Sequence, residues 1–134
     1  MSFKHILFLK ETRIDAKIYY EEEIKTINNI KSELKRMACK HLFSIEGYLF
    51  ALRKELSMKY KIPIYFSTKL FLFYFKTKEE LFLINLFAIY KILYSGNIVI
   101  LFNNGKILEL SGRKETVLKQ LKMANVILNY INNL

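Results

Sequence analysis

Two apolar runs near the carboxyl end of the chain, residues 98–102 and 107–110, flank the dipeptide Asn104-Gly105. A type I′ turn needs positive φ angles at both central residues, which asparagine tolerates and glycine adopts without a Cβ clash. The pattern therefore predicts a β-hairpin with a two-residue loop. In that register Ile100 lies opposite Glu109. The predicted hairpin gathers four aliphatic side chains on one face, namely Val99, Leu101, Leu108 and Leu110.

After the hairpin, apolar residues recur in alternating steps of four and three, which is typical of an amphipathic helix. The predicted apolar stripe consists of Val117, Leu121, Ala124, Leu128 and Ile131. Lysines lie elsewhere on the helical wheel. A chain that ends in a hairpin and an amphipathic helix predicts that the helix closes the open face of a sheet.

Alternating and continuous apolar runs predict further strands upstream. Residues 69–75 are apolar on both faces, which predicts a strand buried on both sides. Residues 81–93 are predicted to form another strand. Pro63 has no N–H to donate, so residues 61–66 are predicted to form an edge strand or the start of a strand. Residues 13–20 alternate with period two, and their predicted buried face carries Ile14, Ala16, Ile18 and Tyr20.

The pattern between residues 24 and 37 leaves two alternatives open. Its apolar spacing fits a helix, but Asn28-Asn29 fits a turn between strands equally well. Further on, Gly47 costs a helix roughly 1 kcal/mol relative to alanine. We therefore expect Gly47 to mark a break, followed by two to three helical turns over residues 48–56.

These patterns predict an α+β fold. Its expected architecture is a mainly antiparallel β-sheet with a C-terminal amphipathic helix packed on it and one or two helices in the N-terminal half. The 134 residues are the size of one domain, and a hydrophobic content of 52% is enough for a core and argues against disorder. No repeat or linker divides the sequence, so we expect a single domain over residues 1–134.

The sequence shows neither a signal peptide nor a membrane-spanning run, which predicts a cytoplasmic protein. Charges at Lys4, Lys10 and Glu11 interrupt the apolar run that a signal peptide would need. Lys91 interrupts the most apolar region, residues 81–102, so no run of about 20 residues could cross a bilayer. Cys39 is the only cysteine, which rules out an intrachain disulfide and fits a reducing compartment.

Signals for catalysis are sparse. One cysteine and two histidines cannot supply a zinc-type ligand set, and the four glycines are too scattered for a phosphate-binding loop. Cys39 and His41 are the residue types of a nucleophile and its base, but we predict a buried structural thiol because such cysteines are commonly buried. We therefore expect no enzyme, no metal and no cofactor.

The net charge of +10 indicates a polyanionic partner, either nucleic acid or an anionic membrane surface. Residues 35–61 contain seven basic residues but only two acidic ones, Glu46 and Glu55. Tyrosines are interleaved with the basic residues. Such a face suits the phosphates of DNA, although a solvated helix face would give the same pattern. The candidate DNA contacts are Arg53, Lys54, Lys59 and Lys61, followed by Lys35, Arg36 and Lys40.

Four short segments occur in an order that matches a known family. The first, Cys39 to Gly47, reads C-K-H-L-F-S-I-E-G and is similar to the pattern C-x(3–4)-G-S-S-[YF]-E-G-R. The second and third are K-I-P-I at residues 61–64 and L-F-L-I-N at residues 81–85. The fourth contains Asn104-Gly105, followed by Gln120 and Ala124 in the predicted helix. In these segments the sequence resembles the competence transcription factor (ComK) family of low-GC Gram-positive bacteria. It departs from that family at Tyr48, where members have arginine, and at Leu83, where they have tryptophan.

The resemblance implies a DNA-binding activator of DNA-uptake genes that recognises AT-rich promoter sites largely through the minor groove. It also implies a homo-oligomer and control by a proteolytic adaptor. Minor-groove recognition needs cations and DNA deformability but no catalytic residue. The alternative is a non-enzymatic basic interaction module that binds an anionic membrane surface or a protein partner.

Overall fold

The computed structural model describes residues 5–134, in which nine strands form two antiparallel sheets with three α-helices around them. The strands are β1 Ile6–Glu11, β2 Ala16–Tyr20, β3 Ile24–Ile27, β4 Ile64–Ser67, β5 Leu70–Lys76, β6 Leu81–Asn85, β7 Ile89–Ser95, β8 Asn97–Phe102 and β9 Ile107–Leu110. The helices are α1 Ile30–Lys40, α2 Ile45–Leu56 and α3 Lys114–Asn132. The predicted α+β class, with a C-terminal helix packed on the sheet, is confirmed.

The larger sheet has the order β3-β2-β1-β6-β5-β4, and the smaller sheet has the order β7-β8-β9. Strand β1 pairs with β6 across more than seventy residues of sequence, which joins the two halves of the chain. Strand β4 lies at an edge and starts directly after Pro63, as predicted for a residue that cannot donate to a ladder.

Strand β5 separates two layers of the hydrophobic core. Phe73 and Phe75 face the smaller sheet, where they are grouped with Ile100 and with Val117 of α3. Leu72 faces the opposite side, where α1 packs. The predicted burial of this strand on both sides is confirmed, because its aromatic and aliphatic side chains fill different layers.

The prediction of one strand over residues 81–93 is wrong, because a 3-10 helix at Leu86–Ala88 divides it and places β6 and β7 in different sheets. The fully buried side chain of Asn85 holds this corner. Its Oδ1 accepts hydrogen bonds from the N–H groups of Phe71 (3.0 Å) and Phe87 (3.2 Å). Its Nδ2 donates to the carbonyls of Ile6 (2.8 Å) and Lys69 (3.0 Å).

The hairpin forms, but its predicted two-residue loop is wrong by one residue of register. The loop has three residues: the N–H of Gly105 donates to the carbonyl of Phe102 (3.0 Å), and the N–H of Phe102 donates to the carbonyl of Lys106 (2.9 Å). Of the central Asn-Gly pair, only Gly105 has a positive φ, of 91°. Leu108 and Leu110 consequently share the buried face with Ile98, Ile100 and Phe102, and Ile107 turns outward.

The N-terminal half combines both alternatives left open by its pattern. Strand β3 ends at Ile27, and α1 begins at Ile30 after Asn29, whose Oδ1 accepts from the N–H of Ser32 at 2.7 Å. The predicted burial of Ile14 is wrong, since its side chain is 95% exposed. It lies in a turn in which Thr12 Oγ1 accepts from the N–H of Ile14 (3.2 Å), so strand β2 begins only afterwards.

The predicted helix break at Gly47 is also wrong, because Gly47 lies in the first turn of α2. Its N–H donates to the side chain of Ser44, the N-cap residue, at 3.0 Å. The real break falls between α1 and α2, where Leu42 adopts a positive φ of 65°.

Helix α3 covers the sheet as predicted: Val117 and Ala124 of the predicted stripe are buried, together with Gln120 and Ile127, and Leu121, Leu128 and Ile131 are partly buried against the core. Gln120 is the polar member of that stripe. Its Oε1 accepts from the N–H of Tyr74 (2.9 Å), and its Nε2 donates to the carbonyl of Lys61 (2.7 Å). No helix within residues 5–134 is both long and apolar enough to span a membrane.

Candidate nucleic-acid interface

All seven cations predicted to contact DNA are exposed, and they lie on three consecutive structural elements. The first group is on α1, the second on the last turns of α2, and the third on the segment between α2 and β4. They are Lys35, Arg36 and Lys40, then Arg53 and Lys54, then Lys59 and Lys61.

Helix α1 presents its cations because its opposite face is buried. Ile30, Leu34 and Met37 pack onto the larger sheet. Two of the cations on the exposed side have acidic partners. Arg36 hydrogen-bonds to Glu33, which raises the pKa of the guanidinium, and Lys35 Nζ lies 3.8 Å from Glu46 of α2.

Tyr48 anchors helix α2 to the edge strand β4. The Tyr48 hydroxyl donates to the carbonyl of Pro63 (2.8 Å) and accepts from the N–H of Tyr65 (3.1 Å). Arg53 and Lys54 lie in the last turn of the helix, where cations favour the negative end of the helix dipole. The helix ends at Ser57, which has a left-handed φ of 56°.

The segment after α2 holds its cations between two buried anchors, Met58 and Ile62. Lys59, Tyr60 and Lys61 project between them, and the ring of Tyr60 is 82% exposed. The backbone of Lys61 has a positive φ of 46°, and its carbonyl accepts the hydrogen bond from Gln120. The segment is therefore fixed at its backbone while its side chains remain in solvent.

The structure brings four of the seven cations together in pairs. Arg53 and Lys59 line a shallow depression of about 570 Å³ at the end of α2, together with Tyr60. Arg36 and Lys40 line a different groove of about 330 Å³, beside α1. Lys35, Lys54 and Lys61 line neither depression. The sequence cluster thus does not form one site: four of its cations line two separate depressions, and the other three lie outside both.

The groove beside α1 contains basic residues that the sequence prediction missed. They are His5, His41 and Lys69, with Ser67 and Tyr20 also lining the groove. Lys69 lies in the turn between β4 and β5. The sequence pattern placed Lys69 at the start of the strand over residues 69–75, and no local signal in the sequence shows that this segment meets the end of α1.

The prediction of a buried Cys39 is wrong, because the thiol lies on the exposed side of α1. His41 does not activate it: the Nδ1 of His41 donates to the carbonyl of Met37 at 2.8 Å. Within residues 5–134, no group of three or more His, Cys, Asp or Glu side chains is placed to hold a metal ion.

Several residues that carry the family resemblance have structural roles in this fold. Ser44 caps α2, Asn85 holds the corner between the sheets, and Gln120 joins α3 to β5. Tyr48, at the position of the family's arginine, secures β4. The resembling segments therefore shape the scaffold, and the exposed cations lie outside them or at their margins.

No protein-family model matches the sequence, and neither a curated protein nor a solved structure matches it significantly. The relation to the competence transcription factor family rests on the four sequence segments alone.

Proposed function

We propose that the protein is a cytoplasmic DNA-binding transcriptional regulator of the competence-factor type, which binds AT-rich promoter DNA and activates DNA-uptake genes. The observation that supports this proposal is the exposed basic surface of α1, α2 and the segment that follows. Five of its seven cations have no carboxylate within ion-pair distance among residues 5–134, namely Lys40, Arg53, Lys54, Lys59 and Lys61.

Cations of this kind contribute affinity by displacing counterions from DNA phosphates. Tyr60 lies beside Arg53 and Lys59 and offers an exposed ring next to the sugar-phosphate backbone. Selectivity for AT-rich DNA then follows from the narrow, electronegative minor groove and from the ease with which such sequences deform. No step in this function needs a catalytic group or a cofactor.

The proposal predicts a steep dependence of DNA binding on salt. Fluorescence anisotropy with an AT-rich and a GC-rich duplex, each over a salt series, measures it. We expect tighter binding to the AT-rich duplex, and a slope of log K against log salt of about −4 if five cations contact phosphates.

The double variant Arg53→Ala/Lys59→Ala should reduce that slope by about 2, because each phosphate contact contributes about 1. Its matched control is Lys119→Ala/Lys122→Ala, which removes the same charge from the exposed side of α3. Equal losses in both variants would show a nonspecific charge effect and contradict the proposed interface.

The alternative function is binding to an anionic membrane surface. It is favoured by exposed apolar residues next to the cations: Phe50 is 67% exposed one turn before Lys54, and Leu42 is 93% exposed beside Lys40. Apolar and basic side chains together are typical of interfacial binding. If vesicles with anionic lipid bind the protein and duplexes do not, this alternative replaces the DNA proposal.

The proposed regulator acts as a homo-oligomer, with a proteolytic adaptor as a second protein partner. The smaller sheet offers the surface for a second copy. Its outer face carries aliphatic side chains on all three strands, namely Leu93, Val99, Leu101 and Ile107. Hydrophobic side chains grouped on an open sheet face are typical of an interface.

A further inference from the structure

We infer that the groove beside α1 binds a phosphate monoester carried on a small molecule. This groove, the α1 groove, lies between the last turn of α1, the start of β1 and the turn between β4 and β5. Its volume of about 330 Å³ lies at the lower end of the range for small-molecule sites, about 300 to 1,000 Å³.

The lining of the α1 groove is basic on its walls and apolar on its floor. No carboxylate of residues 5–134 lines it. The floor consists of Ile6, Met37 and Leu70, of which Met37 and Leu70 belong to the buried core. The walls carry five basic side chains, namely His5, Arg36, Lys40, His41 and Lys69. Two of them have carboxylate partners outside the lining: Arg36 bonds to Glu33, and Nδ1 of His5 lies 3.8 Å from Glu21.

Two of these side chains are held in fixed orientations. Arg36 uses its Nε and one Nη2 hydrogen on Glu33, so the opposite edge of the guanidinium keeps two parallel N–H donors. Such an edge suits the bidentate binding of a phosphate. His41 donates from Nδ1 to the carbonyl of Met37 and packs against Phe66, with ring centroids 5.6 Å apart, which leaves Nε2 for a ligand.

The position at the end of a helix would by itself disfavour an anion, because the helix dipole is negative there. The chain offsets this effect with its own hydrogen bonds. The last carbonyls of α1, at Met37, Ala38 and Cys39, accept from the N–H groups of His41, Phe43 and Leu42. Lys40, in the last turn of the helix, then makes the local charge positive.

The shape of the groove favours a small molecule over a nucleic-acid backbone. Phosphodiesters of DNA are contacted by exposed cations on a surface and need no apolar floor. Here the core residues Met37 and Leu70 form part of the lining, so a bound ligand with an apolar body covers them while its phosphate meets Arg36 and Lys40. A monoester also carries more charge than a diester and accepts more hydrogen bonds.

The experiment uses the full chain, labelled with ¹⁵N and titrated without DNA, so that its outcome is independent of the DNA proposal. The probes are phenyl phosphate, inorganic phosphate and phenol. We expect saturable shifts at α1 and at the β4–β5 turn with phenyl phosphate, and about fivefold weaker binding of inorganic phosphate because it leaves the apolar floor uncovered. Phenol should not saturate, and if it binds as tightly as phenyl phosphate, the phosphate site is refuted.

Lys40→Gln should weaken phenyl phosphate binding about five- to tenfold, through the loss of one partly exposed charge-assisted contact. Its matched control is Lys119→Gln, which makes the same change on an exposed lysine of α3 that does not line the groove. We expect less than a twofold effect there. Equal effects of the two variants would show general charge attraction and overturn the inference.

The same phosphate chemistry occurs on a lipid headgroup, so a second arm uses phosphatidylcholine vesicles with and without phosphatidic acid. Binding of phenyl phosphate that is weakened in Lys40→Gln supports a soluble ligand. Binding only to vesicles with phosphatidic acid, again weakened in Lys40→Gln but not in Lys119→Gln, supports the phosphate site but replaces the soluble ligand with a lipid headgroup. If neither probe binds, the inference is wrong.

Discussion

Tyr48 shows how one side chain joins two elements of this fold. Its hydroxyl donates a hydrogen bond to the carbonyl of Pro63 and accepts one from the N–H of Tyr65, at the edge of β4 that faces away from β5. Burial raises the pKa of this phenol, so the group stays protonated and keeps its donor at any physiological pH. An unprotected strand edge is prone to pair with other chains, and Tyr48 blocks this one.

Tyr48→Phe should destabilise the protein by about 1 to 3 kcal/mol, because it leaves a buried donor and a buried acceptor without partners. Urea unfolding followed by circular dichroism measures the change. Tyr60→Phe is the control, since that hydroxyl belongs to an exposed ring and should change the free energy of unfolding by less than about 0.5 kcal/mol. Similar values for both variants would contradict the proposed role of Tyr48.

The raised pKa of Tyr48 also fixes the direction of a pH effect. The unfolded chain loses this proton near pH 10.0, the ordinary pKa of a tyrosine, whereas the folded chain retains it at higher pH. The unfolded state then binds fewer protons, so stability should fall as pH rises above about 10. The fall should be shallower in Tyr48→Phe, and an unchanged slope would show that other tyrosines, such as Tyr74, account for it.

At the scale of single residues, the sequence shows which side chains can form hydrogen bonds but not which residues they contact. Gln120 was matched to a family motif, yet nothing local reveals that its amide meets the backbone of Tyr74, 46 positions earlier. Asn85 likewise ends an apolar run without showing the four hydrogen bonds that turn the chain there. The residue type of Cys39 predicts burial, but its position on the exposed side of α1 leaves the thiol in solvent.

At the scale of elements, the pattern predicted the hairpin but not its register. The two-residue loop would place Glu109 opposite Ile100, on the face that packs into the core. Burying an unpaired carboxylate costs far more than changing the loop type. The observed three-residue loop instead places Leu108 opposite Ile100 and turns Glu109 outward, where it accepts a hydrogen bond from Asn97 at 2.8 Å.

The geometry of this loop predicts that substitutions of Asn104 and Gly105 change the stability by different amounts. Gly105→Ala should destabilise by about 1 kcal/mol, because a Cβ is strained at a φ of 91°. Asn104→Ala should cost about 0.5 kcal/mol, because its backbone does not need a positive φ and only two exposed hydrogen bonds are lost, to the N–H of Lys106 (3.1 Å) and the carbonyl of Glu21 (3.2 Å). Thermal unfolding of both variants checks this. Equal losses of about 1 kcal/mol would instead indicate the two-residue type I′ loop.

At the scale of the whole molecule, the sequence predicted one mainly antiparallel sheet, and residues 5–134 form two antiparallel sheets. The fold class and the covering helix followed from periodicity, which depends on local spacing. The division at Asn85 and the separation of the cations into two depressions depend on contacts between distant segments. The same division exposes the outer face of the smaller sheet, which no pattern of alternation could assign to solvent or to a partner.

This outer face has charges at two opposite corners. Lys91 lies on the edge strand β7, opposite Leu101 of the central strand β8. Glu109 lies on the other edge strand, β9, opposite Val99 of β8. Two copies packed face to face about a two-fold axis can place Lys91 of each copy against Glu109 of its partner, because such an interface uses the same patch twice. The aliphatic side chains between these corners would then be buried in the centre.

The proposed homodimer predicts a mass that depends on concentration in sedimentation velocity. The apolar part of the face consists of four aliphatic side chains, fewer than the roughly 20 to 30 residues that each partner contributes to a standard interface, so we expect a weak dimer. Ile107→Lys should give a monomer at every concentration, because it buries an unpaired charge at the interface. The control Leu118→Lys, at a partly exposed position on α3, should leave the dimer intact.

A charge exchange distinguishes this interface from general association through apolar residues. Lys91→Glu should weaken the dimer, because it sets two carboxylates against each other at both corners. Adding Glu109→Lys should restore dimerisation, since the exchanged pair is again complementary. If the double variant remains as weak as the single one, Lys91 and Glu109 do not meet across the interface. If the unmodified protein stays monomeric throughout the concentration series, this face does not hold a second copy.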